Sequence, residues 1–237
     1  MIPKSLLAVA AVLVALALVG AVVGQPTAEE KAARFSVQFD REILSRKYHI
    51  DPGELLELMH DPDVDLLVFD VRDERDYNLF HLKDSIRVRT PALDNAFSAD
   101  WPEPAVKVVV SNGEAAAQEA WRRLRATGML NVYILEGGIN FWLDVYGGTY
   151  EVAGGSGNFV AADHDLASGG RLTHDPARVA QPFDLTLIND ELRHVFTAAV
   201  GDAYPAARPD IKHLPKREFT KKVVIQLAGP KVSGGCG

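Results

Sequence analysis

Six residues, Ser111, Asn112, Gly113, Glu114, Ala115 and Ala116, stand where a β-branched run, Val108 to Val110, gives way to an alanine-rich amphipathic segment reaching Gly128. In α/β chains the carboxyl end of a strand, where it meets the next helix, is where ligands gather, so chemistry is sought there first. Ser111 could act as a nucleophile only with a histidine base and an oxyanion hole, and Glu114 adds negative charge where an anion would sit. No basic residue follows Ser111 before Arg122. Further candidates are Asp70 and Arg72, at the end of an apolar run, then His81, and Cys236 in the tail Ser233-Gly234-Gly235-Cys236-Gly237. As the sole cysteine, Cys236 excludes an internal disulfide framework and a cysteine-based zinc site. It reads either as a sulfur carrier, metal clamp or intermolecular link, or as an unpaired residue of a frayed end. His49, His60, His164, His174, His194 and His213 show no metal-ligand spacing, and neither metal nor cofactor is expected.

The elements that must position these residues are legible. Val106 to Leu143 reads strand, loop, helix, strand, its second apolar run (Val132 to Leu135) ending in Gly137-Gly138. A helical crossover between two buried runs implies parallel strands. Upstream, Tyr48-His49-Ile50 reads as a short strand, and Asp51-Pro52 opens a helix through His60 with Asp at its N-cap and Pro at its first position. Leu66 to Phe69 suits a central parallel strand. Beyond Tyr146 the composition shifts toward glycine, alanine and small polar residues, so 147–237 is expected to be loop-rich, with a helix from Asn189-Asp190-Glu191 through Val200 and a strand over Phe219 to Leu227.

The amino end carries no charge from Leu6 to Gly24, long enough to span roughly the 30 Å hydrocarbon core of a bilayer. An uncleaved single-pass anchor over 1–25 is preferred to a signal peptide, with the remaining chain outside the cytoplasm, periplasmic in a bacterium. Thr27 to Ser45 begins like a capped helix and is expected to form a stalk within 26–47. The formal net charge of -7 and the lack of a clustered basic block argue against a nucleic-acid partner.

With Asp70-Val71-Arg72, then Phe80-His81-Leu82, then Leu135-Glu136-Gly137-Gly138 and Trp142 in this order, the sequence from Tyr48 to Val145 resembles a single rhodanese homology domain. Asp70-Val71-Arg72 falls on that family's Asp-x-Arg, and His81-Leu82 on its Gly-His-Ile element with Phe80 in place of glycine. Leu135-Glu136-Gly137-Gly138 with Trp142 falls on its Leu-x-Gly-Gly…Trp ending. The resemblance implies an α/β domain over 48–146, a small parallel sheet with helices on both faces, in which Asp70, Arg72, His81, Gly137, Gly138 and Trp142 are scaffold. It also implies that the loop opening at Ser111 would carry a cysteine in a sulfur-transferring relative. A hydroxyl cannot hold a persulfide, whereas a thiol of pKa ~8.5 ionises readily at a helix N-terminus. The expectation is therefore a membrane-anchored, catalytically inactive module, an accessory or scaffold subunit that binds a partner protein, within a membrane complex. The alternative is a sulfurtransferase or sulfur or redox carrier working through Cys236.

Overall fold

The computed structural model describes residues 3, 9–10, 12–14, 27–89, 105–152, 155–158, 171–173, 175–185, 189–196 and 199–227. Five parallel strands, β1 (His49–Ile50), β2 (Leu66–Asp70), β3 (Ile86–Arg87), β4 (Val106–Val110) and β5 (Val132–Leu135), form one sheet in the order β1-β5-β4-β2-β3. The valine-rich β4 lies in the middle and is buried at every position, Lys107 included, as a strand covered on both faces is.

Side chains alternate across that sheet and so build two cores. Val106, Val108 and Val110 of β4, with Tyr133 and Leu135 of β5, join Leu55, Leu56 and Trp142 on one face. Val109, Val132 and Ile134 join Trp121, Leu124, Phe39 and Ile43 on the other. The first face is covered by α3 (Pro52–His60) and α6 (Gly138–Tyr146), the second by α2 (Ser36–Leu44) and α5 (Ala115–Ala126). Asp51 caps α3 by accepting from Gly53 N–H, with Pro52 in the first turn, where its missing N–H costs nothing.

The segment expected to be a stalk is helical but docked. Its first helix, α1 (Ala28–Arg34), opens with a capping box in which Thr27 and Glu30 exchange side-chain-to-backbone bonds. In α2, Phe39 meets Trp121 edge-on with ring centroids 5.6 Å apart, and Asp40 pairs with Arg122 at 2.7 Å.

Several expectations are corrected. Among the described residues no helix is long and apolar enough to cross a membrane, which goes against a single-pass membrane protein. The longest helix with stated bounds, α5, has 12 residues, roughly 18 Å at 1.5 Å each. Most of Leu6 to Gly24 lies outside the described residues, as does Cys236. Residues 189–196 form no helix, because Asn140 takes backbone groups that a helix would pair internally: its Nδ2 donates to Glu191 C=O and its Oδ1 accepts from Arg193 N–H. Phe219 to Leu227 forms no strand; its backbone bonds instead to side chains of Glu54, Tyr133 and Asn131. The loop-rich stretch after Tyr146 also holds an antiparallel sheet of β6 (Thr149–Val152), β7 (Gly155–Asn158) and β8 (Arg171–Thr173), ordered β7-β6-β8, and a short helix α7 (Pro176–Ala180).

Among the described residues the extension adds to the core of the first face rather than forming one of its own. Val179, Phe196, Tyr204, Ala206 and Ala207 are buried in the core of the first face, with Phe183, Leu192 and Val223 packed against it. It therefore closes over the carboxyl end of the sheet, where the candidate loop lies.

Candidate functional site

Ser111 is 1% exposed at the carboxyl end of β4, and its hydroxyl accepts from Ala117 N–H at 3.3 Å. Residues 111–114 turn from β4 into α5, whose first-turn amides have no partner inside the helix and so must bond outside it. The adjoining wall is the start of α6. Ile139 N–H donates to Ser111 C=O and Asn140 N–H to Asn112 C=O, both at 2.9 Å. That approach needs Gly138: it has φ +61°, and a Cβ there would strike the carbonyl oxygens of Gly113, Ser111 and Asn112.

Asp70 and Arg72 form a buried forked pair, with Arg72 Nη2 2.6 Å from Asp70 Oδ2 and Nε 2.9 Å from Oδ1. The remaining guanidinium donors reach Phe80 C=O at 2.6 Å and Asn112 Oδ1 at 3.2 Å. The pair thus ties the end of β2 to both the loop and the Phe80-His81 turn. His81 stacks on Tyr77, with ring centroids 4.0 Å apart, and its Nδ1 lies 2.8 Å from Tyr77 C=O. Trp142 donates from Nε1 to Ala206 C=O at 2.6 Å.

Glu114 does not face the loop's anion side; its carboxylate points inward and is 0% exposed. Arg46 holds both oxygens, Gly137 N–H donates to Oε1 at 2.7 Å, and His49 Nε2 lies 3.3 Å from Oε2. Burial by itself would raise this carboxyl's pKa, but the neighbouring His49 and the Arg46 guanidinium outweigh it and hold it at about 2. Burial pushes the His49 imidazole down, favouring its neutral form. Glu114 is therefore a structural anion, and the expectation that it lends charge to the loop is corrected.

The loop's amides already hold an anion. Asp190, from the extension, accepts Gly113 N–H at 3.0 Å through one carboxylate oxygen and Ala116 N–H through the other. Its backbone C=O accepts from Asn112 Nδ2 at 3.0 Å, and the same Nδ2 donates to Asp76 at 2.5 Å. A family profile for the rhodanese-like domain matches residues 51–144.

Residues 51–144 form a rhodanese-like domain.

Solved structures similar to it include a Bacillus halodurans protein (21% identity over 45% of this chain and 79% of that one, TM-score 0.38). Others are the rhodanese-like domain of an Anabaena sp. protein (23%, covering 39% and 70%, TM-score 0.36) and a rhodanese-like domain protein from Staphylococcus aureus (15%, covering 38% and 86%, TM-score 0.35). No curated protein matches the chain. Sequence reasoning brought Ser111 to Ala116, Asp70, Arg72 and Gly138 into view, and these border one junction of loop, turn and helix, whereas Trp142 lies in the core of the first face and bonds to Ala206. It missed Asp190, Arg46, His49 and Asn140. Asp190 stands in an Asn-Asp-Glu run that looks like a helix start, and Arg46 adopts φ +57°, which no local pattern marks. Among the described residues no group of three His, Cys, Asp or Glu is placed to hold a metal ion.

Proposed function

We propose that the rhodanese-like domain is non-catalytic and serves as an accessory or scaffold module that binds a protein partner. The observation carrying this reading is the Asp190 carboxylate on the amides of Gly113 and Ala116, where a reacting anion would have to bind. On this reading Ser111 stands in place of the cysteine of sulfur-transferring relatives. Its hydroxyl is buried, and among the described residues its one hydrogen bond is from Ala117 N–H. A hydroxyl so placed has no base to activate it and cannot carry a persulfide. Scaffold parts that hold the loop in shape, the Asp70–Arg72 pair and Gly138, keep a purpose in such a module because they also seat the extension through Asn112 and Asn140. Exposed Val195, Val224 and Leu227 lie on the extension, so the surface on offer to a partner is made largely by that segment.

The test is sulfur transfer from thiosulfate to cyanide by the full chain. No thiocyanate above the buffer rate is expected. Turnover by the wild-type protein would overturn the non-catalytic reading, and its loss in Cys236→Ala would assign the activity to the tail thiol.

A further inference from the structure

We propose that residues 189–194 are a strap that latches the loop shut, with Asp190 as its bolt, and that this strap opens as a unit without unfolding the rhodanese-like domain. The inference deepens the non-catalytic reading by naming what regulates access to the loop.

The strap is held chiefly by polar contacts converging on two asparagines of the domain. Asn112, fixed by Arg72 Nη1 at 3.2 Å, donates to Asp190 C=O at 3.0 Å. Asn140, fully buried, donates to Glu191 C=O and accepts from Arg193 N–H, both at 2.8 Å. Outside these, the Arg193 guanidinium meets Asp144 at 2.8 Å, and His194 Nε2 lies 3.2 Å from the same side chain. The Asp190 carboxylate bridges Gly113 and Ala116 at the centre.

Two properties follow from the nature of these contacts. First, the Asp190 acceptors pair Gly113 N–H, Ala116 N–H and a hydrogen of Asn112 Nδ2, so the closed state is favoured over one that leaves those donors bare. Second, the strap contributes little apolar anchoring of its own: Leu192, its one apolar side chain, is half-buried, and the buried Phe196 lies beyond its end, in the core of the first face. A segment with few buried apolar contacts and a polar attachment opens at lower free energy than the strands beneath it. Opening would bare the amides of Gly113 and Ala116 without disturbing β4 or β5, whose side chains stay packed in the two cores. The carboxylate is the part that makes the latch specific, because it alone binds both amides at once.

The experiment is amide hydrogen exchange on the full chain, wild type against Asp190→Ala, resolved to single residues by NMR. Exchange at Gly113, Ala116 and Arg193 is expected to quicken at least tenfold in Asp190→Ala, with Val108 to Val110 and Val132 to Leu135 unchanged. Unchanged exchange at Gly113 and Ala116 would overturn the latch. Equal acceleration of the strands and the strap would overturn its independence. Should Asp190→Ala fail to fold, Asp190→Asn, which keeps the size but offers a single acceptor oxygen, is expected to release one of the two amides; protection of both as in wild type would sink the proposal. None of these readings depends on turnover, so the strap can fail while the non-catalytic reading stands, and the reverse.

Discussion

The Arg46 guanidinium grips both oxygens of the Glu114 carboxylate, at 2.5 and 2.7 Å, across 68 positions of sequence. Arg46 also reaches Glu136 at 2.9 Å, so one side chain links the segment before β1, the start of α5 and the end of β5. Glu114 is completely buried, and a buried carboxylate is tolerable only while its partners remain.

Arg46→Met should therefore cost about 3–5 kcal/mol of stability, the usual outcome of stranding one member of a buried pair. Urea unfolding of the full chain measures it. The double change Arg46→Met/Glu114→Gln should be less destabilised than Arg46→Met alone, because the stranded charge is gone; equal losses would show that the cost lies in packing.

Acid should unfold the protein through the same group. Glu114 has a folded pKa of about 2 against an ordinary 4.5, so the folded state binds fewer protons between those values. Its contribution, about 3 kcal/mol, is fully present above pH 4.5 and is lost as pH falls toward 2. His49, whose pKa is lowered by burial from 6.5, acts in the same direction from just below pH 6.5, since the unfolded chain takes up the proton first. Glu114→Gln should flatten the stability curve between pH 4.5 and 2, and because the carboxylate offsets burial at His49, its loss should push the His49 pKa further down and extend the His49 slope to lower pH, as equilibrium unfolding at a series of pH values would record.

Gly138→Ala should disrupt the loop. The residue sits at φ +61°, and the added Cβ would press on three backbone carbonyls that have no flexible side chain to yield. The backbone conformation alone costs on the order of 1–3 kcal/mol for a residue with a Cβ, and the collision adds to it. Gly128→Ala is the control: φ is +91° there, but nothing lies within 4 Å, so its thermal shift should be the smaller of the two.

Tyr133→Phe should loosen the end of the extension. The Tyr133 hydroxyl accepts from Val224 N–H at 2.9 Å and donates to Val224 C=O at 3.0 Å, replacing a strand neighbour for that residue. Loss of both bonds should cost about 1–3 kcal/mol. Trypsin should then cut after Lys221 and Lys222 at a protease level that leaves the parent intact; identical digestion patterns would show that Glu54 and Asn131 hold the segment unaided.

Strands β2, β4 and β5 and helices α3 and α5 were legible because each rests on local periodicity or a local start signal: a valine run, an apolar stripe at helical spacing, an Asp-Pro start; α6 was not read, because Gly137-Gly138 looks like the end of a strand rather than the opening of a helix. The loop opening at Ser111 was equally visible, since it falls where one period changes to the other. The helix anticipated over 189–200 and the strand over 219–227 failed for a shared reason. Their residues have suitable local preferences, but their backbone groups are taken by Asn140, Tyr133, Asn131 and Glu54, which only folding brings near.

The chain's own order of residues determined the parallel strands and the position of the loop, because hydrophobic patterning is written within a few residues of itself, while helices on both faces of the sheet were implied by the family resemblance. Tertiary structure alone decided that Glu114 turns inward to Arg46 and that Asp190 returns across 77 positions to seat on Gly113. Both are pairings of charge with its counter-group across long loops, and the free energy that selects them comes from burial and converging amides that exist only once the sheet is built.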